Sequence, residues 1–157
     1  MSVPLPLDVV AISERCEVAG IAAAILRGKD IGGYNPHISA ACVSSTTSRS
    51  PFLITGKDQK FNIEIATSYL VIDARHVDLW LALDKTSIER VHTYLLHNGP
   101  SPNNFYRGVF PDPIVFCGFD IPWIPKTSAG LDDWLNSLTE NLKPWKESIW
   151  RAYSDSS

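Results

Sequence analysis

Cysteine is scarce in this chain: three in 157 residues, at positions 16, 42 and 117. None sits in a CxxC or CxxH neighbourhood, so the sequence offers no zinc site. An odd number of widely separated thiols predicts free cysteines in a reducing compartment. Long apolar runs are missing too. The longest, Val18 to Leu26, is far shorter than the ~20 residues that cross a bilayer. The opening MSVPLPLDVV lacks the basic start and apolar core of a secretory signal. Positive charge is not in excess: the net charge is −3, and no segment interleaves Lys or Arg with aromatic rings as a phosphate-tracking groove would. These absences predict a cytoplasmic protein with no nucleic-acid partner, no membrane partner, no metal and no cofactor. GxSxG, HExxH and phosphate-loop motifs are also lacking. In residues 28 to 37 (GKDIGGYNPH), the glycines follow a helix and the lone Lys29 comes early, so a helix exit and turn is expected there.

What is present describes an ordinary folded domain. With 45% hydrophobic and 20% charged residues, residues 1–157 are expected to form one domain around a core of its own. The stretch from Lys60 to Gly99 organises the reading. Phe61, Ile63 and Ile65 alternate with Asn62 and Glu64, which is the period of a half-buried strand. Tyr69 to Ile72 is a short apolar run. Val77, Leu79, Leu81 and Leu83 then alternate with Asp78, Trp80, Ala82 and Asp84. With Ala74-Arg75-His76 as a hairpin connection, residues 60–83 read as an antiparallel meander.

A helix follows, with Thr86 and Glu89 at capping-box spacing, Ile88, Val91 and Leu95 as its stripe, and Gly99-Pro100 as its stop. Upstream, Asp8 is the expected N-cap of a helix running through to Gly28. Strands are expected at 38–46 and 52–55, with turns at 47–51 and 56–58. Downstream, residues 99–113 form a long proline-rich loop, 114–119 an apolar strand, and Thr127 or Ser128 caps a helix. Its stripe is Leu131, Trp134, Leu135, Leu138 and Leu142, continued by Trp145, Ile149 and Tyr153. Pro144 either kinks that helix or begins another. The fold expected is α+β: an antiparallel sheet of about five or six strands with helices on one face. A parallel doubly wound sheet is disfavoured because the middle strands lack crossover helices.

For function, the aromatic and proline loop 100–125 suggests a protein-binding module, an adaptor or an inhibitor of the immunity type. Its expected contacts are Tyr106, Arg107, Asp112, Asp120 and Trp123, since exposed rings and arginine are common interface anchors. No catalytic residue is assigned in that reading. The alternative is a small hydrolase. Asp73, His76 and Asp78, near Arg75, would supply carboxylates beside an imidazole, or Cys42 would pair with His37 or His92.

Overall fold

The residues Asp8–Ser13 form a strand, β1, buried from Val9 onward. A computed structural model describes residues 7–28, 36–43, 53–55, 60–62, 66–98, 110 and 112–155, with the backbone alone at 53–55, 60–62, 75, 128 and 155. The helix expected from Asp8 starts only at Cys16: α1 spans Cys16–Arg27. The run VVAIS is apolar without alternation, which suits a strand covered on both faces as well as it suits a buried helix.

Strand β2 (His37–Cys42) pairs with β1 in parallel, from Asp8 opposite His37 to Ser13 opposite Cys42. Strands β3 (Leu53–Thr55) and β4 (Lys60–Asn62) form a separate antiparallel ribbon. Strand β5 (Thr67–Ser68) joins the far side of β2, and β6 (Leu79–Ala82) joins the other side of β1. Helix α2 (Lys85–Asn98) leads to β7 (Ile114–Phe116), which pairs with β6. The main sheet is therefore parallel throughout, in the order β5-β2-β1-β6-β7.

This corrects the antiparallel α+β expectation. In place of the meander, residues 60–83 hold β4, paired with β3, then β5 on the far side of β2, two 3-10 turns at Tyr69–Val71 and Ala74–His76, and β6 beside β1. The crossover helix needed between parallel neighbours β1 and β2 is α1, hidden in the apolar run that also contains β1. Helices cover both faces, not one. Val9, Ala11, Leu79 and Leu81 point into a core shared with α1 and the last helix, α3 (Ser128–Asp155). Val10, Ile12, Trp80 and Ala82 point the other way, toward Val91 of α2 and Tyr69. Strands buried on both sides lose the polar alternation that marks a half-buried strand.

Helix α3 matches its sequence stripe: Trp134, Leu135, Leu138, Leu142, Ile149 and Tyr153 are all buried. Pro144 lies inside the continuous helix, exposed, on the side where the carbonyl it leaves unbonded can be hydrated. Trp150 Nε1 donates to Leu26 O at 3.0 Å, which ties α3 to the end of α1. Gly28 closes α1 at φ 63°, a conformation glycine adopts freely, and a Cβ there would meet Lys146 Nζ at 2.7 Å. Among the described residues no helix is long and apolar enough to cross a membrane.

Cys16 and Cys42 are joined by a disulfide, with their Cα atoms 4.9 Å apart. The expectation of free thiols therefore holds only for Cys117. The two residues are 26 apart in sequence, and loop-closure entropy assigns a crosslink of that span about 3 kcal/mol. Reduction by dithiothreitol should leave the chain folded, because residues 18–26 are buried without help from the sulfurs. It should lower the thermal midpoint by roughly 10 °C. Calorimetry of the oxidised and reduced chain checks this.

Candidate active site at the carboxyl edge of the sheet

The direction in which successive strands are added to the sheet reverses at β1. From there α1 leads to β2 on one side, while β6 on the other side is followed by α2 and β7. In open parallel sheets the crevice at the carboxyl ends of the strands flanking such a switch point is where ligands bind. Here those strands are β1 and β6. Ser13 ends β1, Cys42 ends β2 beside it, and Ser68 ends β5 beside Cys42. Asp84 follows β6, and Cys117 follows β7 with its amide bonded to Ala82 O at 3.0 Å.

Asp84 organises the edge. Its Oδ2 accepts from Ser13 Oγ at 2.8 Å and from the Glu14 amide at 3.0 Å. Its Oδ1 accepts from the Ser87 amide at 2.8 Å, and Ser87 Oγ receives the Asp84 amide at 3.3 Å. One carboxylate thus caps α2 and fixes the β1–α1 turn. The capping pair lies two residues earlier than the expected Thr86 and Glu89. Ser13 Oγ in turn accepts from the Arg15 amide at 3.0 Å. The next three amides, of Cys16, Glu17 and Val18, open α1, where no helix supplies an acceptor and the positive end of the dipole lies.

The segment after β7 forms one wall. Arg15 donates to Ile121 O at 2.5 Å and to Pro122 O at 3.1 Å, and its guanidinium lies 4.9 Å from the centre of the Trp123 ring. Trp134 Nε1 reaches the same Pro122 carbonyl at 2.8 Å. Asp120 is exposed on this wall. Cys117 is different in character. Burial, and secondarily the Asp84 charge, push its thiol from 9.0 up to about 12. It stays protonated at neutral pH and is a poor nucleophile.

A thiol that ionises later in the folded state than in the unfolded one stabilises the fold fully below the unfolded value. That stabilisation is lost as pH climbs toward the folded one. Unfolding free energy should therefore fall between about pH 9 and pH 12, by at most about 1.4 kcal/mol per pH unit from this group. Urea titrations of the wild type and Cys117→Ala at stepped alkaline pH check it, the variant giving the flatter profile.

Of the residues expected to bind a partner, Tyr106 and Arg107 lie outside the described residues. So do the glycine-rich loop, the turns at 47–51 and 56–58, and Gly99-Pro100. Asp112 is exposed and accepts from the Ile114 amide at 3.0 Å. Asp120 and Trp123 belong to the wall held by Arg15. The alternative catalytic set is dispersed. His76 Nε2 lies 3.4 Å from Asp73 Oδ2, both exposed, and Asp78 accepts from the Asp8 amide at 2.9 Å at the amino end of β1, the opposite edge. His37 lies 2.8 Å from Asp8 Oδ1, also at that edge. His92 is exposed on α2, and Cys42 is bonded to Cys16, so no Cys42–His pair forms. Among the described residues no group of three His, Cys, Asp or Glu is placed to hold a metal.

No family model matches the sequence, and no curated protein is significantly similar to it. The fold has solved counterparts. The chain is similar to a protein tyrosine phosphatase from Entamoeba histolytica, solved as a product-state mimic, at a TM-score of 0.52 and 15% identity over 90% of this chain and 96% of that one. A low molecular weight phosphotyrosine phosphatase from Vibrio cholerae matches at 0.46 and 15% identity, over 96% and 95% of the two chains. The argument for a shared fold rests on the first. That solved counterpart is an enzyme, and this finding corrects the expectation of a non-enzymatic inhibitor or immunity-type binder.

Proposed function

We propose that the chain hydrolyses phosphate monoesters at the carboxyl edge of β1 and β6, with the Cys16 sulfur as nucleophile once its bond to Cys42 is open. The observation that carries this reading is the position of Cys16. It is the first residue of a twelve-residue helix, in the turn at the switch point, half-buried and next to Arg15. A helix N-terminus favours the thiolate over the thiol and gathers amides where a dianion can rest. The named activity of the Entamoeba protein of similar fold supports the same substrate class.

In this reaction the Cys16 thiolate attacks phosphorus and the bond from phosphorus to the ester oxygen breaks. The departing oxygen takes a proton, for which Asp120 is the exposed carboxyl on the wall beside Arg15. Water then attacks the phosphocysteine, the sulfur–phosphorus bond breaks, and inorganic phosphate leaves with the thiolate restored. Asp84 is not the acid, since its oxygens already hold Ser13, Glu14 and Ser87. The reduced chain should release phosphate from p-nitrophenyl phosphate and from a phosphotyrosine peptide. Binding of phosphate without any release by the reduced chain would overturn the hydrolase reading.

A further inference from the structure

We infer that Arg15 is a positioning residue for the acid step: its guanidinium clamps the wall at Ile121 and Pro122 and so sets where the Asp120 carboxyl stands. The effect on hydrolysis rests on the reading above; the clamp itself does not. The wall is stiff, and its path is set at a few points. It starts where the Cys117 amide bonds to Ala82 O, and Gly118 turns it at φ 80°, in the region that favours glycine. Pro122 and Pro125 restrict the residues before them, Ile121 and Ile124, toward extended backbone. Phe119, Ile121 and Ile124 pack against the core shared with α1 and α3, while Asp120, Pro122 and Trp123 are exposed. So stiff a segment shifts as a unit, and the donors that fix its carbonyls fix Asp120 with them.

Arg15 is suited to that task. Its two terminal nitrogens donate to Ile121 O and Pro122 O, and the guanidinium lies over the Trp123 ring. Ile121 is the residue next to Asp120, and Arg15 directly precedes Cys16, so the clamp ties the acid to the turn that carries the proposed nucleophile. A planar fork holds two carbonyls and a ring at once, whereas a lysine ammonium is a point charge on a flexible stem. Pro122 O also accepts from Trp134 Nε1. That bond and the packing of Phe119, Ile121 and Ile124 remain when Arg15 is lost. The wall then stays on the protein, and only its placement relaxes.

The consequence lies in the first chemical step. As the Cys16 thiolate bonds to phosphorus, the bond to the ester oxygen breaks and that oxygen takes the Asp120 proton. The water that later opens the phosphocysteine returns a proton to the Asp120 carboxylate. Phenoxide is a strong base and leaves poorly without that proton. The p-nitrophenoxide ion is a weaker base and leaves largely unaided. A misplaced acid is therefore felt on phenyl phosphate far more than on p-nitrophenyl phosphate.

The full chain, reduced with dithiothreitol, is compared with Arg15→Lys, Arg15→Ala and Asp120→Asn on both esters. In all three variants kcat/KM for phenyl phosphate should fall about tenfold or more beyond any fall for p-nitrophenyl phosphate. Arg15→Lys is the deciding variant, because it keeps the charge beside Cys16 and loses the fork. Inorganic phosphate should inhibit it as it inhibits the wild type. The same proteins carrying 5-fluorotryptophan report the clamp without any turnover, with the Trp123 fluorine signal assigned by Trp123→Phe. That signal should move in both Arg15 variants and stay in place in Asp120→Asn. An unmoved signal in Arg15→Ala, wild-type behaviour of Arg15→Lys on phenyl phosphate, or equal losses on the two esters overturns the inference. If the reduced wild type releases no phosphate, the hydrolase reading falls and the acid step with it, while the clamp stands or falls on the fluorine spectrum.

Discussion

Cys16→Ser is expected to lower phosphate release by roughly a thousandfold or more in the reduced chain. Oxygen in place of sulfur preserves the size of the group at the head of α1 and can still meet the amides there. What it removes is a nucleophile that ionises near neutral pH, since a serine hydroxyl at this position has no base beside it. Asp84 is engaged with Ser13 Oγ, the Glu14 amide and the Ser87 amide, and the described histidines lie elsewhere. The substitution also abolishes the disulfide, so Cys42→Ser is the matched control. It loses the same crosslink and the same roughly 3 kcal/mol, yet it keeps the Cys16 sulfur and should keep the rate. Equal loss in both variants would place the effect in the fold and not in the chemistry. Initial rates with p-nitrophenyl phosphate, alongside thermal melts of both variants, make the distinction.

How much of this could be read from the sequence follows from where each element is buried. Helix α3 was legible residue by residue because one face meets the core and the other meets water. Helix α2 was legible for the same reason, with its start displaced to Asp84. The sheet was not. Strand β6 reads as one-sided because Asp78 and Asp84 flank Trp80 and Ala82 in the alternating row. In the fold Trp80 is 1% exposed, packed in the second core, and only the two aspartates at the strand's ends mimic a wet face.

Strand β1 was absorbed into the following helix because both are mostly apolar, and the two-residue turn between them, Glu14-Arg15, carries no glycine or proline to separate them. The site was hidden by distance along the chain. Ser13 and Asp84 are 71 residues apart, and Cys16 and Cys42 lie on elements whose parallel pairing the sequence did not disclose. The signal that could have exposed the site was Ser-Glu-Arg-Cys, a polar interruption at residues 13–16 between two apolar stretches. In a parallel sheet such a break is the loop at a strand's carboxyl end.

The second large effect is on stability. Asp84→Ala should reduce the unfolding free energy by about 3–5 kcal/mol, and the thermal midpoint by roughly 10 °C. The carboxylate receives three donors: the buried Ser13 hydroxyl and the amides of Glu14 and Ser87. Hydrogen bonds to a charged acceptor are each worth about 1.5–3 kcal/mol, and they are not additive when one group makes them all. Alanine leaves the Ser13 hydroxyl buried with no acceptor in place and uncaps α2. Asp84→Asn retains one oxygen but presents an NH₂ where the other acceptor stood. It should therefore fall between wild type and alanine.

The two variants also separate charge from packing at Cys117. Because burial is the larger cause of its raised pKa and Asp84 the smaller, Asp84→Asn should lower the pH needed to ionise that thiol without returning it to the ordinary range. Ultraviolet titration of the thiolate at 240 nm (roughly its absorbance maximum) reads this in a Cys16→Ser, Cys42→Ser background. An unchanged alkaline titration, together with full stability, would mean that Asp84 does not hold the β1–α1 turn, and the edge built on it would have to be drawn differently.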